Sequence, residues 1–143
     1  MDRNGRGTLS AIARSAAPLA GAAALIVAAG ASVPREAAVT VEMTNQLTFA
    51  PDTVVIRAGE TVEFRNTSAL VHTVTGDPST ASVDASVHLP DNAEPFDSGR
   101  IEPGESFSHT FESAGTYRYF CVPHEGAKMR GVVVVNDGEE ERT

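Results

Sequence analysis

Three side chains of the kinds that bind soft metals, Cys121, His124 and Met129, fall within nine residues near the end of this 143-residue chain. In an extended strand, Cys121 and Met129 would lie about 27 Å apart, at about 3.4 Å per residue. The three side chains can therefore meet at one ion only if the backbone between them curls. Gly126 gives that loop a flexible point, and Pro123 stiffens its start. The fold must supply any further ligand from another part of the chain.

The donor types in this loop favour copper over zinc. A thiolate, an imidazole and a thioether suit a copper ion, whereas a thioether is a poor zinc ligand. Cys121 is the only cysteine, so it forms no disulfide within the chain. It is unpaired, pairs with another molecule, or binds a metal. Cys121 and Met129 could also be ordinary core residues, since buried thiols and thioethers are common.

Short runs rich in alternating or β-branched residues predict an all-β sandwich. Turn signals such as Pro103-Gly104 and Ala114-Gly115 separate the runs, and no helical periodicity follows the N-terminal segment. The predicted strands are Val39–Met43, Thr53–Arg57, Thr61–Arg65, Leu70–Thr75, Ser106–Phe111, Thr116–Cys121 and Gly131–Val135.

The four histidines of the chain differ in their sequence surroundings. His72 follows a polar turn and lies near a predicted strand end, where a side chain can point out of the end of the core. This placement favours His72 as the further ligand that the loop requires. His109 lies in the middle of a predicted strand and is interpreted as facing solvent, opposite its phenylalanine neighbours. His88 is interpreted as a surface residue.

His88 belongs to a polar stretch, Gly76–Pro95, which we call the acidic segment. It has no sustained strand pattern, and loops of this length are usually functional or mobile. Our hypothesis is that Asp84, Asp91 and Glu94 contribute to the choice of partner through their charge.

Residues 1–31 have the composition of an export signal. Arg3, Arg6 and Arg14 precede a short apolar stretch, Leu19–Ala29, and Ala29-Gly30-Ala31 fits a cleavage site. The alternative is an uncleaved membrane anchor, which would associate the protein with a membrane. Both interpretations place the folded part outside the cytoplasm, in the periplasm or on the outer face of the cytoplasmic membrane. Residues 32–38 are predicted to be a linker, 39–136 the folded domain and 137–143 an acidic tail.

Residues 32–143 carry 8 basic and 18 acidic side chains, because three arginines and one aspartate lie in 1–31. This balance argues against nucleic acid and against an anionic bilayer face as partners. The excess of acidic side chains fits better with a partner that has a basic surface, or with one whose charge is screened by salt.

The residues around the loop resemble those of the plastocyanin-like cupredoxins, the group of plastocyanins, halocyanins and amicyanin. The resemblance covers Val39–Val135, and the residues that carry it are Asn66, His72, Tyr117, Tyr119, Phe120, Cys121, Pro123, His124, Ala127, Met129 and Gly131. It implies a Greek-key β-sandwich and one copper ion that cycles between Cu(I) and Cu(II). The implied ligands are His72, Cys121, His124 and Met129, with Met129 as the weak axial one.

The resemblance also implies a function. The chain would be a monomeric one-electron carrier that shuttles electrons between redox proteins, with His124 as the exit and Leu70, Pro123 and Ala127 around it. It would not be an enzyme, because four protein ligands leave no position for a substrate. We expect groups near Cys121 and in the Asn66–Thr73 region to hydrogen-bond the ligands. The alternative is a copper-buffering or delivery protein; a vestigial site in an interaction module fits the complete ligand set less well.

Overall fold

A computed structural model of the protein describes residues 36–138. The predicted signal peptide or anchor at 1–31 lies outside the described residues, as do parts of the predicted linker and tail. Between residues 36 and 138, no helix is long and apolar enough to cross a membrane.

The described residues form two facing β-sheets, as the predicted all-β sandwich requires. The strands are β1 (Val39–Met43), β2 (Phe49–Ala50), β3 (Thr53–Arg57), β4 (Glu60–Asn66), β5 (Thr75–Gly76), β6 (Phe96–Asp97), β7 (Ser106–Phe111), β8 (Gly115–Phe120) and β9 (Arg130–Asn136). One sheet has the order β2-β1-β4-β7 and the other β3-β9-β8-β5-β6. The pairs β1–β4 and β3–β9 are parallel, and the other pairs are antiparallel.

Alternating side chains from both sheets fill the core. In β3, Val54 and Ile56 are buried and Val55 is exposed, which is the pattern of a strand with one face in the core and the other exposed to solvent. The ring of Tyr119 in β8 packs edge-on against Phe49 and Phe64, with ring centroids 4.7 and 5.2 Å away. These aromatic contacts join the two sheets below the end that carries the Cys121–Met129 loop.

The predicted strand Leu70–Thr75 is wrong. His72 forms only an isolated bridge with Ile101, and β5 begins at Thr75. The side chain of Asn66 donates hydrogen bonds to the carbonyl oxygens of Leu70 (2.7 Å) and Ile101 (2.9 Å). The carbonyl of Ile101 also accepts the N–H of His72 (3.2 Å), so backbone pairing of this segment is limited to that one bridge. The side chain of Asn66 ties the segment down where it crosses the end of the sandwich.

The interpretation of His109 as solvent-facing is also wrong. Residues two apart on a strand share a face, so His109 lies on the side of Phe107 and Phe111. Its half-buried ring stacks on the ring of Phe96, with centroids 4.2 Å apart, and meets the ring of Phe111 edge-on, with centroids 4.7 Å apart. Burial lowers the pKa of His109. His88 is exposed, as expected.

The acidic segment runs along β8 from the Cys121 end of the sandwich to the opposite end. It contains two short 3-10 helices, Pro78–Thr80 and Asp84–Ser86. His88 pairs through its backbone with Arg118, in the middle of β8. Pro90 packs against Gly115, where β8 begins, and the hydroxyl of Ser113 donates to the carbonyl of Asn92. Asp84, early in the segment, and Asp91 and Glu94, late in it, therefore lie at different ends of the sandwich.

Candidate metal centre

The backbone after β8 makes the curl that the ligand spacing requires. Residues Val122–Ala127 form 3-10 turns, and Lys128 adopts a left-handed conformation (φ 60°, ψ 35°) that directs the chain into β9. The N–H of Cys121 donates to the carbonyl of Met129 (3.0 Å), and the N–H of Met129 donates to the carbonyl of His124 (3.3 Å). These bonds bring the two ends of the loop together.

Two imidazoles and the thiol meet at this end of the sandwich. Cys121 Sγ lies 3.7 Å from His72 Nδ1 and 3.3 Å from His124 Nδ1. The three donor atoms all lie within 4.8 Å of one another, and no other such group of His, Cys, Asp or Glu side chains occurs in residues 36–138. Bonds of about 2.0–2.3 Å from one ion to nitrogen and sulfur, about 120° apart, place donor atoms roughly 3.7 Å from each other. The cluster therefore fits a single metal ion.

The four predicted ligands differ in exposure. His72, Cys121 and Met129 are fully buried, at 0% exposed each, whereas His124 is partly exposed. The main chain of Met129 is hydrogen-bonded to both Cys121 and His124. A metal held here is shielded from water on every side except that of His124.

The ring of His72 is oriented by a chain of two polar side chains. Ser68 Oγ lies 2.8 Å from His72 Nε2, and its one proton has acceptors in Asn66 Oδ1 (2.7 Å) and the carbonyl of Leu70 (3.2 Å). With that proton given to either oxygen, Ser68 accepts from His72, and the ring proton lies on Nε2. His72 Nδ1, the atom that faces Cys121 Sγ, is left unprotonated and free to bind a metal.

The sulfur of Cys121 also accepts a hydrogen bond. The N–H of Thr73 donates to Sγ at 3.3 Å, and the hydroxyl of Thr73 accepts from the N–H of Val122 at 2.9 Å. Burial raises the pKa of the Cys121 thiol, while the hydrogen bonds from Thr73 act in the opposite direction. Metal binding must therefore displace a proton from this thiol. These contacts confirm that the Asn66–Thr73 region supports the predicted ligands, although Ser68 and Thr73 were not singled out from the sequence.

Replacing Ser68 with alanine is expected to weaken metal binding about 10- to 100-fold, the usual effect of removing a group that orients a metal-binding histidine. The variant leaves the Nε2 proton of His72 without its acceptor, so the ring is free to take other orientations and the other tautomer. Competition with a Cu(II) chelator measures the change. Ser113→Ala is the control, because Ser113 also hydrogen-bonds a loop but lies at the other end of the sandwich. Equal affinities for the two variants would contradict this role of Ser68.

An all-β sandwich with two histidines and a cysteine gathered at one end defines a cupredoxin. The model of the plastocyanin/azurin family, described as copper binding proteins, matches residues 35–136, and the chain belongs to this family.

The similar proteins include two plastocyanins and an amicyanin whose structure has been solved. The plastocyanin of Scenedesmus fuscus is 41% identical over 93 residues, which cover 62% of this chain and 87% of that protein. The chloroplastic plastocyanin of Physcomitrium patens is 40% identical over 122 residues, covering 82% of this chain and 67% of that protein. A reduced single-site mutant of amicyanin superimposes with a TM-score of 0.55 at 29% identity, covering 74% of this chain and 88% of that one.

Family and site together establish the class of activity. The chain is a type 1 copper electron carrier like plastocyanin, with one copper site. It is not an enzyme, in line with the plastocyanin-like members of its family. Carriers of this kind transfer electrons between redox proteins.

Proposed function

We propose that His72, Cys121, His124 and Met129 are the four copper ligands. Cys121 would provide the thiolate, His72 and His124 would provide Nδ1, and Met129 would provide a thioether. The observation that carries this assignment is the convergence of Sγ and the two Nδ1 atoms within 4.8 Å. The full burial of Met129 and its main-chain hydrogen bonds to Cys121 and His124 support it as the fourth ligand. When bound, copper supplies a one-electron couple between Cu(I) and Cu(II).

The surrounding residues hold the ligands in place for that couple. His72 is fixed through Ser68, and Cys121 is held by Thr73 and by the main chain of Met129. A donor set held in one arrangement suits both oxidation states, and little rearrangement is what rapid electron transfer requires. Full burial of three ligands keeps water and substrates away from the ion.

Electron exchange is proposed to pass through His124, the one predicted ligand with an exposed edge. Two of the exposed large apolar side chains in the described part of the chain lie beside predicted ligands. These are Leu70, 40% exposed, two residues before His72, and Val122, 41% exposed, directly after Cys121. An apolar surface around a partly exposed ligand can contact a redox partner closely without a cost in buried charge.

We further propose that 39–136 is the functional domain and that the chain acts outside the cytoplasm, after export directed by residues 1–31. The excess of acidic side chains favours redox partners with a basic contact surface. The plastocyanins of Physcomitrium patens and Pisum sativum are chloroplastic proteins, which supports a carrier that is moved out of its compartment of synthesis.

Optical spectroscopy tests the proposed function and separates it from copper buffering. The protein loaded with one equivalent of Cu(II) should show an intense visible band that ascorbate bleaches and a mild oxidant restores over many cycles. A protein that binds copper without this band, or that releases copper on reduction, would be a buffering or delivery protein instead.

Among the acids of the acidic segment, Asp84 is expected to influence electron transfer and Asp91 is not. Asp84 follows Val83, which contacts the ligand loop (Cys121–Met129) through Glu125. Asp91 follows Pro90, which packs against Gly115 at the other end of the sandwich. A unit charge at about 10 Å contributes ~0.4 kcal/mol per probe charge in water, so Asp84→Asn should slow reduction by ruthenium(II) hexaammine about twofold or more at low salt.

Stopped-flow kinetics at several ionic strengths measures this effect, which should fade as salt screens the charge. Asp91→Asn is the matched control and should keep the wild-type rate. If both variants behave alike, the charges of the acidic segment do not act locally at the copper end, and this part of our hypothesis is wrong.

A further inference from the structure

One side chain, that of Glu125, connects the ligand loop to the acidic segment. Its carboxylate accepts the N–H of Ser82 through both oxygens (3.0 and 3.1 Å) and the N–H of Val83 through Oε1 (2.9 Å). Glu125 directly follows His124, so this contact lies beside the exposed predicted ligand.

The acidic segment needs an acceptor at this point. Val83 is the N-terminal cap residue of the 3-10 helix Asp84–Ser86, and no side chain of its own caps that turn. The first N–H groups of a helical turn have no partner within it, and a carboxylate is a strong acceptor for them. Glu125 supplies this acceptor from 42 residues further along the chain.

Beyond its first two residues, which are bonded to Thr73, the ligand loop is otherwise held from within. The bonds that shape it, from His124, Lys128 and Met129, all end on carbonyls of the loop itself. At its start, the N–H of Val122 donates to Thr73. Apart from the clustered metal donors, Glu125 is the only loop side chain for which the described residues show a hydrogen bond to another element. Without it, the exposed middle of the loop depends on its own turns alone.

We propose that Glu125 is a positioning residue of the copper centre, because it ties the ligand loop to the acidic segment and thereby holds His124 in its ligating orientation. The inference rests on the ligand set proposed above. The acidic segment is in turn anchored along β8 through the backbone pair of His88 and Arg118, so the contact transmits the rigidity of the sheet to the loop. Loop and segment then move together rather than independently.

Hydrogen exchange tests the contact itself. In the full chain, with and without Cu(I), NMR should show the amides of Ser82 and Val83 exchanging roughly 10- to 100-fold faster in Glu125→Ala than in wild type, as expected when a charge-assisted hydrogen bond is lost. Glu94→Ala is the control, since it removes the same charge from the late, opposite end of the acidic segment. Glu125→Gln keeps one carbonyl acceptor and should give intermediate rates.

The release of copper to a chelator tests the positioning role. We expect Glu125→Ala to release Cu(I) at least several-fold faster than wild type, Glu125→Gln to recover part of the difference, and Glu94→Ala to match wild type. Unchanged amide exchange in Glu125→Ala would overturn the contact, and faster exchange with an unchanged release rate would overturn the positioning role. If the ligand assignment itself were wrong, the wild-type protein would already fail to bind copper through Cys121, whatever residue stands at position 125.

Discussion

Cys121→Ser is expected to abolish the intense visible band of the copper-loaded protein and its voltammetric wave. The band arises from charge transfer between a thiolate and Cu(II), and a serine hydroxyl is not deprotonated to replace that thiolate at neutral pH. Structural zinc sites with four ligands bind with ~10–16 kcal/mol, or about 3 kcal/mol per ligand; taking that share as the scale for one lost ligand, copper affinity should fall roughly a hundredfold or more.

Absorption, voltammetry and chelator competition measure these losses on one sample. Circular dichroism of the copper-free variant provides the control, because serine is close in size to cysteine and the buried position should still fold. A folded Cys121→Ser protein that keeps its band and its wave would show that the thiolate is not the principal ligand.

His124→Gly and His72→Gly are expected to differ in their rescue by added imidazole. Each variant should lose the visible band, since each removes one of the two nitrogen donors that converge on Cys121. Imidazole should restore the band in His124→Gly, because the ring of His124 is partly exposed and its removal opens a path from solvent. It should not restore the band in His72→Gly, because His72 is fully buried.

The two variants are controls for each other, and wild type with the same imidazole concentration completes the comparison. The readout is the visible band after titration with imidazole in the presence of one equivalent of Cu(II). Rescue of His72→Gly alone, or equal rescue of both, would contradict the arrangement in which His124 faces solvent and His72 faces the core.

Strand positions were predictable where one face of a strand is buried. Thr53–Arg57 and Ser106–Phe111 have the predicted bounds, since alternation and flanking turn residues mark both ends. The two-residue strands β2 and β6 were not predicted, because two residues carry no periodicity. Leu70–Thr75 has the composition of a strand, but its backbone pairing before β5 is limited to the His72–Ile101 bridge, and the side chain of Asn66 bonds the carbonyls of Leu70 and Ile101. This arrangement depends on tertiary contacts that a local pattern does not contain.

The sequence predicted the metal-binding residues of the candidate site better than it predicted the hydrogen bonds that hold them. Spacing alone pointed to the Cys121–Met129 loop, and the polar turn before His72 pointed to the further histidine. The contact between Glu125 and Val83 joins residues 42 positions apart, and nothing local to either residue predicts it. The hydroxyl of Ser68 lies four residues before His72 and was visible as part of a polar turn, but its hydrogen bond depends on how that turn folds.

The most direct test of this account is a pair of crystal structures of the copper-loaded protein, oxidised and reduced, with anomalous diffraction at the copper edge. We predict one copper peak per chain, bonded to His72 Nδ1, Cys121 Sγ and His124 Nδ1 with Met129 Sδ further away, and the same four ligands in both states. A peak elsewhere on the chain, or a change of ligands between the two states, would contradict a one-electron carrier built on these four side chains.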